Sequence, residues 1–177
     1  MLSNSHVIGL IISVIAVSVS AQLSFNIPTS GGGIPITGQS LAVLCVLFLL
    51  PNWHGVFAIG LYILLGVLGL PVYADGTSGF DKLIGNSGGY LYGFFIASII
   101  LTVLFPKRET TLNTILGFMT LGTTLIVLSG TLHLSISYGL SKAIEYGVTP
   151  FLPGALVKVL LGTIIVYFTR MIMNRIA

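Results

Sequence analysis

The sequence predicts an all-α integral membrane protein, with six transmembrane helices and glycine-rich outer loops. Three observations carry that expectation. Of 177 residues, 55% are hydrophobic and only 6% are charged, whereas a water-soluble domain carries roughly 25% charged residues. The apolar residues fall into six runs separated by clusters of glycine, proline and polar residues. All but one of the ionisable Lys, Arg, Asp and Glu side chains lie between the runs or at their ends, as lipid around the helices requires. No polar stretch is long enough for a second unit, so residues 1–177 read as a single transmembrane domain.

The first run, Val7 to Leu23, carries the small-residue pairs Gly9/Ser13 and Ala16/Ser20. Each pair is spaced i,i+4 and so shares a helix face where another helix can approach closely. Packing within the chain and docking of a partner protein both fit that pattern. The run is too long for a signal-peptide core and has no basic residues before it, so no removal is expected. Asn26 to Gly38 contains two prolines and four glycines, which exclude a regular helix. Its apolar residues between breakers suggest a loop folded back over a cavity. Gln39 to Leu50 is a short helix of about 18 Å, so it begins in the loop or crosses only part of the membrane. Trp53, in the turn that ends it, suits an interfacial anchor.

Val56 to Val72 is the third run, and a second glycine-rich loop follows it with both aspartates of the chain, Asp75 and Asp81. The fourth run, Gly88 to Phe105, stops at Pro106, and the fifth spans Leu112 to Leu128. Ser129 to Tyr146 is less apolar and suits a helix that continues and then turns along the membrane surface. The sixth run opens at Pro153, whose fixed φ and missing N–H suit the first turn of a helix.

Charge sets the expected orientation. Lys107, Arg108, Arg170 and Arg175 share one side, whereas Lys82 and Lys142 lie on the other. The positive-inside rule makes the first side, with both termini, cytoplasmic. The three long loops and the Pro153 end of the last helix then face outward together. A net charge of +3 spread along the chain gives no footprint for nucleic acid. Three scattered histidines and one cysteine, Cys45, offer no metal-ligand spacing. There is no Walker-type phosphate loop and no Gly-x-Ser-x-Gly elbow. No cofactor is expected, and a binding or transport protein fits better than an enzyme.

Lys158 is the exception among the charges. It lies about one turn inside the last helix, roughly 7–8 Å along the axis from Pro153. An ammonium there needs water, a partner or a ligand anion; the competing account is that it snorkels to the interface on its four-carbon stem. Gly88, Gly89 and Tyr90 open the fourth run, where free N–H groups and the helix dipole favour a polar or anionic ligand group. Simple turn geometry also explains those glycines. Tyr73 and Tyr90 could flank a flat ligand or serve as interfacial anchors.

Four segments together resemble the successive motifs of the BioY family. They are Ile34-Pro35-Ile36-Thr37-Gly38-Gln39-Ser40 with the four residues after it, Gly69-Leu70-Pro71-Val72-Tyr73-Ala74, Gly88-Gly89-Tyr90-Leu91-Tyr92-Gly93-Phe94, and Phe151-Leu152-Pro153-Gly154-Ala155-Leu156-Val157-Lys158. The resemblance implies a biotin-binding S component of an energy-coupling factor (ECF) transporter. It further implies an outward pocket under the first two long loops, and a transmembrane scaffold and ATPase subunits as partners beside membrane lipid. On this basis Lys158 would bind the ligand carboxylate. Thr37, Gln39, Asn86 and the Gly88–Gly89 backbone would meet polar ring atoms, and Tyr73 and Tyr90 would flank the ring. One position departs from the family pattern: Ala155 stands where an aspartate would pair with the lysine one turn on. The alternative from another class is a non-transporting assembly subunit or a lipid-modifying membrane enzyme.

Overall fold

The computed structural model describes residues 4–27, 34–105 and 111–176. Among these, eight α-helices and one short hairpin appear. The six apolar runs form α1 (Asn4–Gln22), α2 (Gln39–Leu49), α3 (His54–Val67), α5 (Gly88–Leu104), α6 (Leu112–Tyr138) and α8 (Phe151–Ile176). Two short helices exceed the expected six: α4 (Asp81–Ile84) in the second glycine-rich loop, and α7 (Leu140–Gly147). The last arises because Gly139, at φ 76°, stops α6, a backbone conformation that glycine adopts without a Cβ clash. α7 then turns back and buries Ala143 and Gly147 against the bundle. α3 ends earlier than its apolar run, because Gly69 at φ 102° turns the chain before Pro71.

The first loop is more regular than expected. β1 (Ser24–Ile27) pairs antiparallel with β2 (Ile34–Thr37), Ser24 opposite Thr37 and Ile27 opposite Ile34. Pro35 is tolerated in β2 because each strand of a two-stranded ribbon has an open edge. Residues 28–33, the centre of the loop expected to fold over a cavity, lie outside the described residues, as do Lys107 and Arg108.

α6 and α8 are each long and apolar enough to cross a membrane alone. α2, at 11 residues, covers about 16 Å and spans only part of that thickness, as its length predicted. Side chains sort as they do in lipid. Val17, Val43, Ile59, Tyr62, Leu101 and Met119 are buried inside the bundle, while Ile12, Phe57, Leu128 and Ile164 face outward. α5 and α6 pack along much of their length. A Cβ at Gly93 would stand 3.0 Å from Ile126 Cα, and one at Gly89 would overlap the His133 side chain, so these glycines let two helix backbones meet.

α2 and α8 run side by side in one direction, joined at two levels. Lys158 Nζ donates to Ser40 Oγ (3.1 Å) at one end, and Arg170 Nε donates to the Phe48 carbonyl (2.8 Å) at the other. The Arg170 guanidinium also lies 4.9 Å from the centre of the Phe105 ring, a cation–π contact. On α1, Ser13 is buried and Gly9 faces Leu50 at 3.3 Å from an added Cβ. That pair packs within the chain. Ala16, by contrast, is exposed beside Ile12, Ile15 and Val19.

A cavity where the loops converge

At the Lys158 end, β2 and the starts of α2, α5 and α8 meet the loop between α3 and α5. They enclose a cavity of about 160 Å³. Leu91, Phe94, Ile126 and Phe151 supply apolar wall, and the polar groups come from separate elements: Thr37, Gln39 and Ser40 on one side, Lys158 on another, and Asp75, Thr77, Lys82 and Ser87 from the loop. An apolar chamber with a few convergent polar groups is the usual form of a small-molecule site. A wider cavity, about 400 Å³, lies at the other end around Arg170, lined by the α2–α3 turn and mostly apolar side chains. Its polar groups are Asn52, Thr102, Arg170 and Asn174, and the α2–α3 turn is the one loop on its wall among the described residues.

Lys158 is half-buried and reaches Ser40 Oγ. Among the described residues its partner is that neutral hydroxyl and no carboxylate. Ala155, one turn earlier, puts a methyl group on the cavity wall where the family pattern has an acid. The ammonium thus keeps donors for a ligand anion.

Thr37 and Gln39 are committed to a chain of hydrogen bonds. Thr37 Oγ1 accepts from Gln39 N (3.2 Å) and donates to Gln39 Oε1 (2.9 Å). Gln39 Nε2 donates to the Tyr62 hydroxyl, which donates to the Val72 carbonyl at 3.1 Å. The chain ties the start of α2 to α3 and to the loop after it, with Thr37 and Gln39 both buried on the cavity wall.

Both tyrosines line the cavity, each seated on a glycine. An added Cβ at Gly66 would overlap the Tyr73 ring, and one at Gly130 would overlap the Tyr90 ring. Tyr73 donates to the Ile63 carbonyl (2.6 Å), meets Tyr62 edge-on (5.7 Å), and has its own carbonyl held by Gln22 Nε2 at 3.1 Å. Burial pushes the Tyr73 phenol up to about 12, so it remains a donor at physiological pH. Tyr90 donates to the Gly147 carbonyl (3.0 Å) and stacks on Phe151 at 5.1 Å. Neither ring has the exposure of an interfacial anchor: Tyr73 is 3% exposed and Tyr90 9%.

Asn86, Gly88 and Gly89 do not line the cavity. Asn86 Oδ1 accepts from Tyr138 (3.1 Å). A Cβ at Gly88 would overlap the Leu83 carbonyl, so that glycine lets α4 lie directly on the start of α5. Gly89 belongs to the α5–α6 contact. Conversely, Ser40, Lys82, Phe151 and the α6 residues Ile126 and Val127 line the cavity without having been expected there. Ser40 and Lys158 are 118 positions apart, and no spacing rule connects them.

The model of the BioY family matches residues 2–175. The chain belongs to the BioY family. Among its BioY relatives, the "Biotin transporter BioY2" of Lactococcus lactis is 33% identical over 168 residues, covering 92% of this chain and 90% of the relative. The "Biotin transporter BioY" of Thermotoga maritima is 32% identical over 135 residues, 76% and 79% of the two chains. A crystal structure of the S-component for biotin from an ECF-type ABC transporter superposes with a TM-score of 0.78 at 23% identity. It covers 97% of this chain and 95% of that one, so the BioY chain shares its fold. These relatives carry transporter names and none is named as an enzyme.

Proposed function

We propose that this chain is a membrane substrate-binding protein for biotin, taking up the vitamin through the cavity at the Lys158 end. The observation that carries this reading is an ammonium held inside a loop-capped, largely apolar cavity in a member of a family whose relatives are named biotin transporters. Biotin is a compact bicyclic ring with a flexible acid tail. An apolar chamber with Lys158 for the carboxylate and Gln39 for a polar ring atom suits both parts. The decisive experiment is saturable binding of radiolabelled biotin to the purified protein in liposomes. Absence of saturable binding would sink the proposal.

The chain is read as one multi-pass domain with both termini cytoplasmic, since Arg170 and Arg175 mark the end of α8 away from the cavity. A reporter fused after Arg175 is expected to read cytoplasmic; an external location would turn the cavity the wrong way for uptake.

Energy is read as coming from a transmembrane scaffold and ATPase subunits, because the sequence has no nucleotide-binding loop of its own. The exposed face of α1 at Ile12, Ile15, Ala16 and Val19 is the surface on which helix one would meet the scaffold. Ala16→Trp is expected to abolish biotin uptake in cells while leaving biotin binding by the purified protein within about twofold, because the side chain lies outside the bundle. Unchanged uptake would mean that lipid alone covers this face. Gly9 is not equivalent, since its face is filled by Leu50.

A further inference from the structure

Lys82 is the second ammonium on the cavity wall, and its position is fixed by the fold. It lies on the four-residue α4, which is fastened on three sides. Before it, Gly79 N donates to the Gly66 carbonyl at the end of α3 (2.8 Å). After it, the Gly85 carbonyl accepts from His133 Nε2 (3.1 Å) and Asn86 Oδ1 accepts from Tyr138 (3.1 Å), both residues on α6. Beneath it, Leu83 rests on Gly88, where any side chain would collide with the Leu83 carbonyl. The segment is a strap pinned to α3, α5 and α6 rather than a loose lid. It carries Lys82, half-buried, onto the cavity alongside Ser87. No hydrogen bond or ion pair engages the Lys82 ammonium among the described residues. The other charged groups on the cavity wall are Asp75, which accepts from Ser24, and Lys158, which donates to Ser40.

We infer that Lys82 is a second specificity-determining residue of the cavity, drawing the ligand carboxylate in from the loop side before Lys158 receives it. The inference rests on the biotin reading above and adds a division of labour within it. A cation on the loop side of a low-dielectric chamber raises the local concentration of anions and acts mainly on the association rate, an effect that salt screens. Lys158 acts instead on how long the anion stays. Asn86, Gly88 and Gly89 thereby gain a role without touching ligand: they hold the strap and the helix that receives it.

The test measures association and dissociation rates of biotin and of biotin methyl ester with the purified protein in nanodiscs at low and high salt. Lys82→Met is expected to associate with biotin about tenfold more slowly at low salt and to show a weaker salt dependence than the parent. Its dissociation rate should be nearly unchanged, with both ester rates equal to the parent's. Lys82→Arg, which keeps the charge, should retain the parent's association rate. Parent-like biotin association in Lys82→Met would overturn the inference. So would loss of biotin and ester binding alike, which would mark the lysine as support for the strap. A parent protein that binds no biotin removes this inference together with the biotin reading; a parent that binds and a variant that matches it removes this inference alone.

Discussion

Lys158→Met is expected to weaken biotin binding about ten- to a hundredfold and to leave the methyl ester nearly unaffected. The range follows from the roughly 1.5–3 kcal/mol of a charge-assisted hydrogen bond. Methionine keeps a flexible apolar stem of similar length and removes the charge, so the variant should fold. The structure sharpens the expectation. With Ser40 as a neutral partner and Ala155 on the preceding turn, a ligand carboxylate has no competing acid at that position. Lys158→Arg should recover only part of the affinity, because a planar fork does not fill an ammonium's site beside Ser40. Ser40→Ala is a mild companion, removing the hydroxyl that orients Nζ. If Lys158→Met bound biotin as tightly as the parent and still distinguished acid from ester as well, Lys158 would be a snorkelling residue and the central assignment would fail.

The second large effect is expected at Gly66, which touches no ligand. The Tyr73 ring lies flush on this turn of α3, close enough for its hydroxyl to reach the Ile63 carbonyl. A valine side chain needs the space that the ring occupies. Tyr73 cannot step aside without breaking that bond, its edge-on contact with Tyr62, and the bond from Gln22 to its carbonyl. Overpacking of this kind costs roughly 1–3 kcal/mol, and here it also rearranges a cavity wall. Gly66→Val should therefore lose measurable biotin binding and unfold at a lower temperature in detergent, with Gly66→Ala intermediate. Tyr73→Phe separates the contributions: it keeps the ring and loses only the hydroxyl bond, so binding should survive. A Gly66→Val protein with the parent's affinity would show that the Tyr73 ring is not a wall of the binding site.

How far the sequence reaches depends on the range over which each feature is determined. The six helices of the apolar runs were legible because lipid selects for continuous apolar runs, and Pro153 falls in the first turn of α8 as its chemistry demands. The convergence of loops at the Lys158 end followed from counting runs. The hairpin of β1 and β2 was not legible, since Pro35 and the glycines around it read as breakers, and an isolated ribbon needs little sequence signal. The site divides in the same way. Lys158 stood out as a charge in an apolar run. Ser40, Phe151 and Lys82 look ordinary in sequence and acquire meaning only when distant segments meet. Gly88 and Gly89 were noticed for their backbone N–H groups, whereas their missing side chains matter in packing against Leu83 and His133. A glycine that admits a ligand and one that admits a helix look identical in sequence.

The chain of bonds from Thr37 through Gln39 and Tyr62 to Val72 has a built-in polarity. Its last member is a backbone carbonyl, which can only accept, so the Tyr62 proton is spent there. The Tyr62 oxygen must then receive a proton from Gln39 Nε2, and the amide cannot flip without placing two acceptors face to face. Thr37 follows that sense rather than setting it: its hydroxyl, which can rotate to donate or accept, donates to Gln39 Oε1. The cavity wall thus presents an amide whose orientation is set by a carbonyl on another element. Among the described residues, what remains uncommitted on that amide is one Nε2 hydrogen and one lone pair of Oε1. On the biotin reading, the Nε2 side would suit an acceptor such as the oxygen of a cyclic urea, and the Oε1 side an N–H donor.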